Sequence, residues 1–293
     1  MNGWEGVQLT SMYVKPTDAA TVMVIREQRT SRGKDIEVLM VLRNRSSRFV
    51  PGYHVYPGGI LDPEDYAPEV ERFCTSMDRK KALEILPNMS KAEKAIGAWV
   101  AGIRETFEEA GILIASRRDG TRVFIGTDEE KRRLCEYRRA LNSGEMKFPE
   151  FLEKEDLVLP LDRLHYFSHW ITPEPLPLRY DVRFFLAETP EGQEVMHDGM
   201  ELTEHVWINP RKALDLYEKR EFGMVLPQLM TLMELSQFKT VDDAIRSTKG
   251  KKVPANLTKI KKIEGHDVEV MPDGTAFKGR LPVYKWINKN SEE

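Results

Sequence analysis

The segment Arg104-Glu105-Thr106-Phe107-Glu108-Glu109-Ala110-Gly111 constrains this chain more than any other. On an α-helix Glu105, Glu108 and Glu109 stand at i, i+3 and i+4, so their carboxylates project from one face toward a common point. Gly111 then ends the helix, because glycine enters a left-handed cap conformation without steric cost. The acids therefore occupy the last turn, where the helix dipole opposes negative charge, and each like-charge pair costs about 0.2–0.5 kcal/mol. A divalent cation taking carboxylate oxygens at roughly 2.0–2.6 Å would reverse the sign of that repulsion. A solvated acidic face is the ordinary alternative.

Upstream, Tyr56-Pro57-Gly58-Gly59-Ile60-Leu61-Asp62 follows an alternating apolar stretch. Pro-Gly-Gly marks a sharp loop whose backbone can approach another group closely, so its carbonyls are available as metal ligands. Together the two segments resemble the signature of the Nudix hydrolases, G-x5-E-x7-R-E-U-x-E-E-x-G-U with U aliphatic. Arg104, Glu105, Glu108, Glu109, Gly111 and Ile112 match, with Thr106 where an aliphatic residue is expected. The spacing departs from the pattern. Counting on from Gly59 reaches Asp65, far short of Arg104, and Asp62, Glu64, Asp65 and Glu93 are all candidates for the first glutamate, Asp65 slightly ahead. An insertion at about 66–90 inside the box resembles the branch that includes peroxisomal coenzyme A diphosphatases. That branch carries R-S-x3-R-x3-G-x3-F-P-G-G before the glycines, and here Arg43-Asn44, Arg48, Gly52, Tyr56, Pro57, Gly58 and Gly59 fall at matching offsets, with Asn for Ser and Tyr for Phe.

The resemblance implies an α/β protein, a Nudix α/β/α sandwich with a mixed sheet, a helical insertion inside the box and a C-terminal extension. The hydrolase domain would cover 18–220, and 221–293 would pack on the same domain. It further implies metal-dependent hydrolysis of a nucleoside diphosphate linked to another moiety, with coenzyme A or an acyl-CoA favoured. ADP-ribose, nucleotide sugars, dinucleotides, capped RNA, or a non-catalytic nucleotide-binding module are the alternatives. Magnesium or manganese would be held by Glu105, Glu108 and Glu109 with help from the Gly59 carbonyl and an extra acid, Glu201 or Glu204, from a later loop. Glu108 and Glu109 are the firmer ligands, Glu105 is a ligand or the base, and Arg104 orients a neighbouring glutamate. Arg43, Arg48 and Tyr56 would bind substrate. So would Arg179, which shares a strand face with Asp181 and Arg183; a paired, merely structural face is the alternative there.

The periodicities place a hairpin at Ala19 to Arg26 and Ile36 to Leu42, joined by Thr30-Ser31-Arg32-Gly33-Lys34-Asp35. The insertion repeats apolar residues at helical intervals, at Val70, Phe73, Met77, Leu83 and Leu86, and reads as added helices. Ser90 is the expected N-cap of the acidic helix, with Glu93 completing a capping box. A strand at Ile112 to Ala115 and helices near Asp128 to Leu141 and Pro149 to Asp156 follow. Strands at Leu164 to Ile171, Asp181 to Glu188 and Glu204 to Ile208 lead to an Asn209-capped helix, and further helical stretches precede a terminal hairpin at Asp267 to Met271 and Ala276 to Trp286.

Composition excludes several classes. A net charge of −3 over 293 residues, from 44 basic and 47 acidic groups, gives no reason to expect a nucleic acid or membrane surface as a partner held by bulk charge. The 2 cysteines make no disulfide framework and no metal motif. With no long apolar run and no basic-apolar leader, the chain reads as soluble and intracellular, cytoplasmic by preference. The inserted helices would either lid the site or build a homodimer interface.

Overall fold

A computed structural model describes residues 14–31, 33–47, 50–174, 176–196, 202–264 and 266–277. The β-branched start of the chain forms β1 (Thr17–Thr30) and β2 (Gly33–Arg43), paired antiparallel. Pairing continues to Thr30 opposite Gly33, so the turn is tighter than the polar run between the two apolar stretches suggests. β3 (His54–Val55) then pairs with β2, and β4 (Gly58–Ile60) with β1.

The insertion folds as a 3₁₀ turn at Pro63–Tyr66, α1 (Pro68–Glu71), β5 (Cys74–Thr75) and α2 (Arg79–Ile85). Val70, Phe73 and Leu86 enter the same apolar cluster as Ile96, Trp99 and Phe107 of α3 (Ala92–Ala110). The N-cap of α3 is Lys91 rather than Ser90, and it makes no side-chain cap bond. A tertiary contact holds the first turn instead: Lys94 Nζ lies 2.9 Å from Asp18 Oδ2 on β1.

Ile112–Ala115, expected as a strand, are buried but join no ladder. The Gln193 side chain takes the place of a neighbouring strand. Its Oε1 accepts from Leu113 N at 2.8 Å and its Nε2 donates to Leu113 O at 3.1 Å, which satisfies buried main-chain groups. Then come β6 (Ser116–Arg117), α4 (Asp128–Asn142) behind a Thr127 capping box, α5 (Phe148–Lys154), β7 (Leu157–Pro160), β8 (His165–Ile171), β9 (Tyr180–Glu188) and β10 (Leu202–Ile208). Asn209 caps α6 (Pro210–Glu218), accepting from Arg211 N and Lys212 N. α7 (Leu226–Leu235), α8 (Val241–Ser247) and β11 (Ala255–Leu257) follow. β12 (Lys259–Ile263), β13 (His266–Val270) and β14 (Ala276–Phe277) form a separate antiparallel sheet. The β13–β14 pair is the expected terminal hairpin, β12 is an added strand, and the rest of that hairpin lies outside the described residues.

The main sheet runs β10-β2-β1-β9-β8-β11, with β1–β9 and β8–β11 parallel and the other pairs antiparallel. Alternation along β1 sends Ala20, Val22 and Val24 into the cluster containing α3, and Met23 and Ile25 into a second cluster with Ala213, Leu232 and Ala244 of α6, α7 and α8. Helices therefore cover both faces of a mixed sheet, the expected α/β/α sandwich. Among the described residues no helix is long and apolar enough to cross a membrane.

Candidate active site

The acidic turn ends α3 as its sequence requires. Gly111 adopts φ 72° and its N–H donates to Phe107 O at 2.9 Å. A charge on another helix offsets the negative pole of α3. Arg138 on α4, 5% exposed, donates to Glu108 O from Nε at 3.2 Å and Nη2 at 2.8 Å, and to Glu109 O at 3.1 Å. A cation at a helix C-terminus is favourable, and these bonds satisfy carbonyls that lack an intrahelical partner. Helical spacing does not reveal Arg138, which the sequence analysis missed.

The Pro-Gly-Gly segment meets the same turn. Antiparallel pairing sets Gly58 opposite Thr21 and Gly59 opposite Ala20. Gly58 N donates to Glu109 Oε2 at 2.8 Å. A Cβ built on Gly59 would overlap the end of the Glu105 side chain, and one built on Gly58, at φ 157°, would meet the β1 backbone at Ala20 O and Thr21 Cα, so the two glycines let this segment lie close to both α3 and β1. Arg104 organises the remaining acids. Its Nε and Nη2 form a bidentate pair with Asp65 at 2.8 and 2.9 Å, and its Nη1 lies 2.9 Å from both Glu105 Oε1 and Glu108 Oε2. Asp62 stands at 3.4 Å. Burial works against the Arg104 charge, but Asp65, Glu105 and Glu108 outweigh it and raise its pKa. Burial also lifts Glu105 to about 7, with Arg104 opposing and Glu108 and Asp65 adding to the rise. Glu108 is raised for the same first reason.

Of the four candidates for the first box glutamate, Asp65 is 1% exposed and holds the fork of Arg104. Asp62 is a longer contact, Glu64 pairs with Lys147 at 2.7 Å, and Glu93 sits in the first turn of α3.

Two clefts meet at this turn. One, about 370 Å³, is lined by Gly58, Gly59, Glu105 and Glu109 at one part and by apolar residues of β8, β9 and α7 elsewhere. The other, about 740 Å³, is lined by Asp62, Glu64, Glu105, Glu108, Glu109 and Lys147 among others. Glu105 and Glu109 line both.

The remaining expected residues divide. Arg43 lines the smaller cleft. Tyr56 lines it too, but its hydroxyl is 3.0 Å from Thr231 Oγ1 on α7 and the ring is 2% exposed. Arg179 is not brought to the site: Nε donates to Thr172 O at 3.0 Å and Nη1 to Val14 O at 2.6 Å, so the guanidinium clasps backbone. Its strand neighbours Asp181 and Arg183 belong to a buried network, with His169 Nε2 2.5 Å from Asp181 Oδ1 and Arg183 Nη1 2.9 Å from Asp18 Oδ1. The opposite face of β9, with Tyr180, Val182 and Phe184, faces the cleft. His54 stacks on Phe222 with ring centroids 3.5 Å apart. Glu204 is exposed on β10, while Arg48 and Glu201 lie outside the described residues.

The donor chemistry suits a hard cation: several carboxylates face a single buried guanidinium, leaving excess negative charge around oxygen ligands. Glu105, Glu108 and Glu109, with the Gly59 carbonyl, are the groups that could hold it. In this arrangement the carboxylates are drawn onto Arg104 and Gly58, and among the described residues no three ligating side chains already converge as a bound ion requires. Ion binding would draw Glu105 and Glu108 partly away from Arg104.

Known proteins are similar to this chain in sequence and in fold. The acyl-coenzyme A diphosphatase NUDT19 of Xenopus laevis is 25% identical over 235 residues, covering 71% of this chain and 62% of its own length. The Homo sapiens protein of that name is 25% identical over 241 residues, covering 73% and 64%. The chain thus spans less than two thirds of these relatives. The crystal structure of a Nudix hydrolase from Alicyclobacillus acidocaldarius is similar with a TM-score of 0.61 and 28% identity, over 79% of this chain and 96% of that one. The NUDT19 Nudix domain family matches residues 17–235, most of the described fold and all of the acidic turn, and the chain belongs to that family.

Proposed function

We propose that this protein hydrolyses the diphosphate of coenzyme A or an acyl-CoA, using magnesium or manganese. The observation that carries the reading is that Glu105 and Glu109 line both clefts beside the Gly58–Gly59 strand. A substrate with a diphosphate at its centre and a different group on each side fits two clefts joined at acids. A divalent ion bound there neutralises phosphate oxygens and activates water.

The residues divide the remaining work. Glu108 and Glu109 hold the ion, Glu105 takes the proton or serves as a further ligand, and Arg104 positions Glu105 and Glu108 while anchored on Asp65. Arg43, in the smaller cleft, offers a guanidinium fork to phosphate oxygens. The names of the similar proteins, acyl-coenzyme A diphosphatase, support coenzyme A over other diphosphates. Residues 18–220 form the hydrolase unit in this reading, and 221–293 extend it on the same body, supported by α7 and α8 sharing a core with β1 and β2.

Incubating the protein with coenzyme A, acetyl-CoA, NADH, ADP-ribose, UDP-glucose and a dinucleoside polyphosphate, with either metal or a chelator, tests the proposal by product mass. Metal-dependent release of 3′,5′-ADP and a phosphopantetheine product is expected. Preference for another member would keep the chemistry and discard the substrate; no hydrolysis with folded protein and metal would favour a binding module. Sedimentation velocity reads whether the insertion pairs two copies or leaves a monomer with a lid.

A further inference from the structure

The C-terminal part of the chain supplies the smaller cleft with polar groups that diphosphate chemistry does not use. Gln228 on α7 lines it, is 6% exposed, and has a side-chain oxygen buried with no hydrogen-bond partner. Thr258 and Glu269 line the same cleft, bonded to each other at 2.5 Å. Around them the lining is largely apolar, with Trp170, Leu176, Val182, Phe184 and Ile260.

A buried acceptor left unpaired carries a desolvation cost, which a ligand donor returns on binding. A purely hydrocarbon ligand would gain nothing from Gln228, since a leucine would fill the same space without the penalty. The wall holds aromatic residues, Tyr56, Trp170, Tyr180 and Phe184, as well as aliphatic ones, but Gln228 offers a ligand one unpaired acceptor, whereas a nucleobase brings several donors and acceptors to satisfy. What the oxygen lacks is a single N–H carried on a slender, otherwise weakly polar chain.

We propose that Gln228 is a specificity-determining residue that accepts a hydrogen bond from a secondary amide in the non-nucleotide half of the substrate, whose chain lies along the apolar wall toward Thr258 and Glu269. The proposal rests on the diphosphatase reading and deepens it, because it assigns the smaller cleft to the amide-bearing chain and leaves the larger, polar cleft to the nucleotide side. Coenzyme A carries secondary amides in its pantetheine half; 3′,5′-ADP carries none.

The test compares wild type with Gln228→Leu. With coenzyme A and saturating magnesium, KM is expected to rise about tenfold, the equivalent of one lost hydrogen bond, with kcat within about twofold. The competitive inhibition constant of 3′,5′-ADP should stay within about twofold. The thermal midpoint should not fall, because the substitution removes an unpaired buried oxygen; a purely structural glutamine would lose stability instead. An equal weakening of coenzyme A and 3′,5′-ADP, or an unchanged KM, overturns the assignment. Failure of the diphosphatase reading is read separately by saturation-transfer NMR with free pantetheine, which has the amides and no diphosphate. A signal with wild type that is lost in Gln228→Leu upholds the subsite even without turnover, and no signal, or one that the variant retains, overturns it.

Discussion

Arg138 donates to the main-chain oxygen of Glu108 through two nitrogens, Nε at 3.2 Å and Nη2 at 2.8 Å. This contact lets a helix end in carboxylates, since a guanidinium from α4 occupies the negative pole of α3. Arg138→Leu is therefore expected to lower stability by roughly 1.5–3 kcal/mol, the range for hydrogen bonds to a charged group. Urea denaturation reads it as a lower midpoint at unchanged slope, and an unaltered midpoint would remove Arg138 from the account.

Glu109→Gln separates catalysis from folding. The amide oxygen can still accept from Gly58 N, so the thermal midpoint should move little. Turnover with saturating magnesium should fall on the order of 100-fold or more, because an anionic ligand that would hold the ion against the reacting phosphate is lost. Turnover equal to wild type would sink the assigned mechanism.

Gly59→Ala tests the close approach of β4 to α3. The added methyl overlaps the Glu105 carboxylate, so either the strand or the glutamate must shift. Overpacking of this kind costs about 1–3 kcal/mol, and displacing a reacting group by about 1 Å lowers turnover on the order of 100-fold. Activity and melting should both drop; a fully active variant would show that Glu105 is free to move.

Asp65→Asn leaves the buried Arg104 without the charge that grips its Nε and Nη2. Because Glu105 and Glu108 still face Arg104, the loss should be that of a charged hydrogen-bonded contact, about 1.5–3 kcal/mol. The matching loss for Glu64→Gln, whose partner Lys147 is exposed, should be small. Chemical denaturation of both variants gives the comparison, and equal losses would contradict the role assigned to Asp65.

Acid stability gives a prediction away from the acidic turn. Burial raises the pKa of Asp18, but Lys94 and Arg183 outweigh it and hold the carboxyl below its ordinary 3.8. A depressed acid contributes stability above its unfolded pKa and loses it as pH falls through the folded value. Wild type should thus exceed Asp18→Asn at pH 6, with the gap closing as the pH drops below 3.8. A gap that is constant with pH would mean that the carboxylate charge contributes nothing.

Much of this protein was legible in local pattern. Helical spacing puts Glu105, Glu108 and Glu109 on one turn, Gly111 ends it, and the β-branched runs of β1 and β2 pair as a hairpin, because each depends on residues a few positions apart. Tertiary structure decided the rest. Period-two alternation in β9 gives two faces of similar character, and only packing shows that Asp181 and Arg183 turn into a buried network while Val182 and Phe184 line the cleft. Ile112–Ala115 have strand-like residues, yet a distant glutamine takes their main-chain bond. Asp65, Asp62, Glu64 and Glu93 are interchangeable by charge, and only the fold brings Asp65 into the fork of Arg104. The sequence by itself determined which helix carries the acids and where it stops, since backbone geometry sets both. Which positive charges hold that end of the helix, Arg104 from within and Arg138 from across, was left to the tertiary structure, because electrostatic partners meet through space.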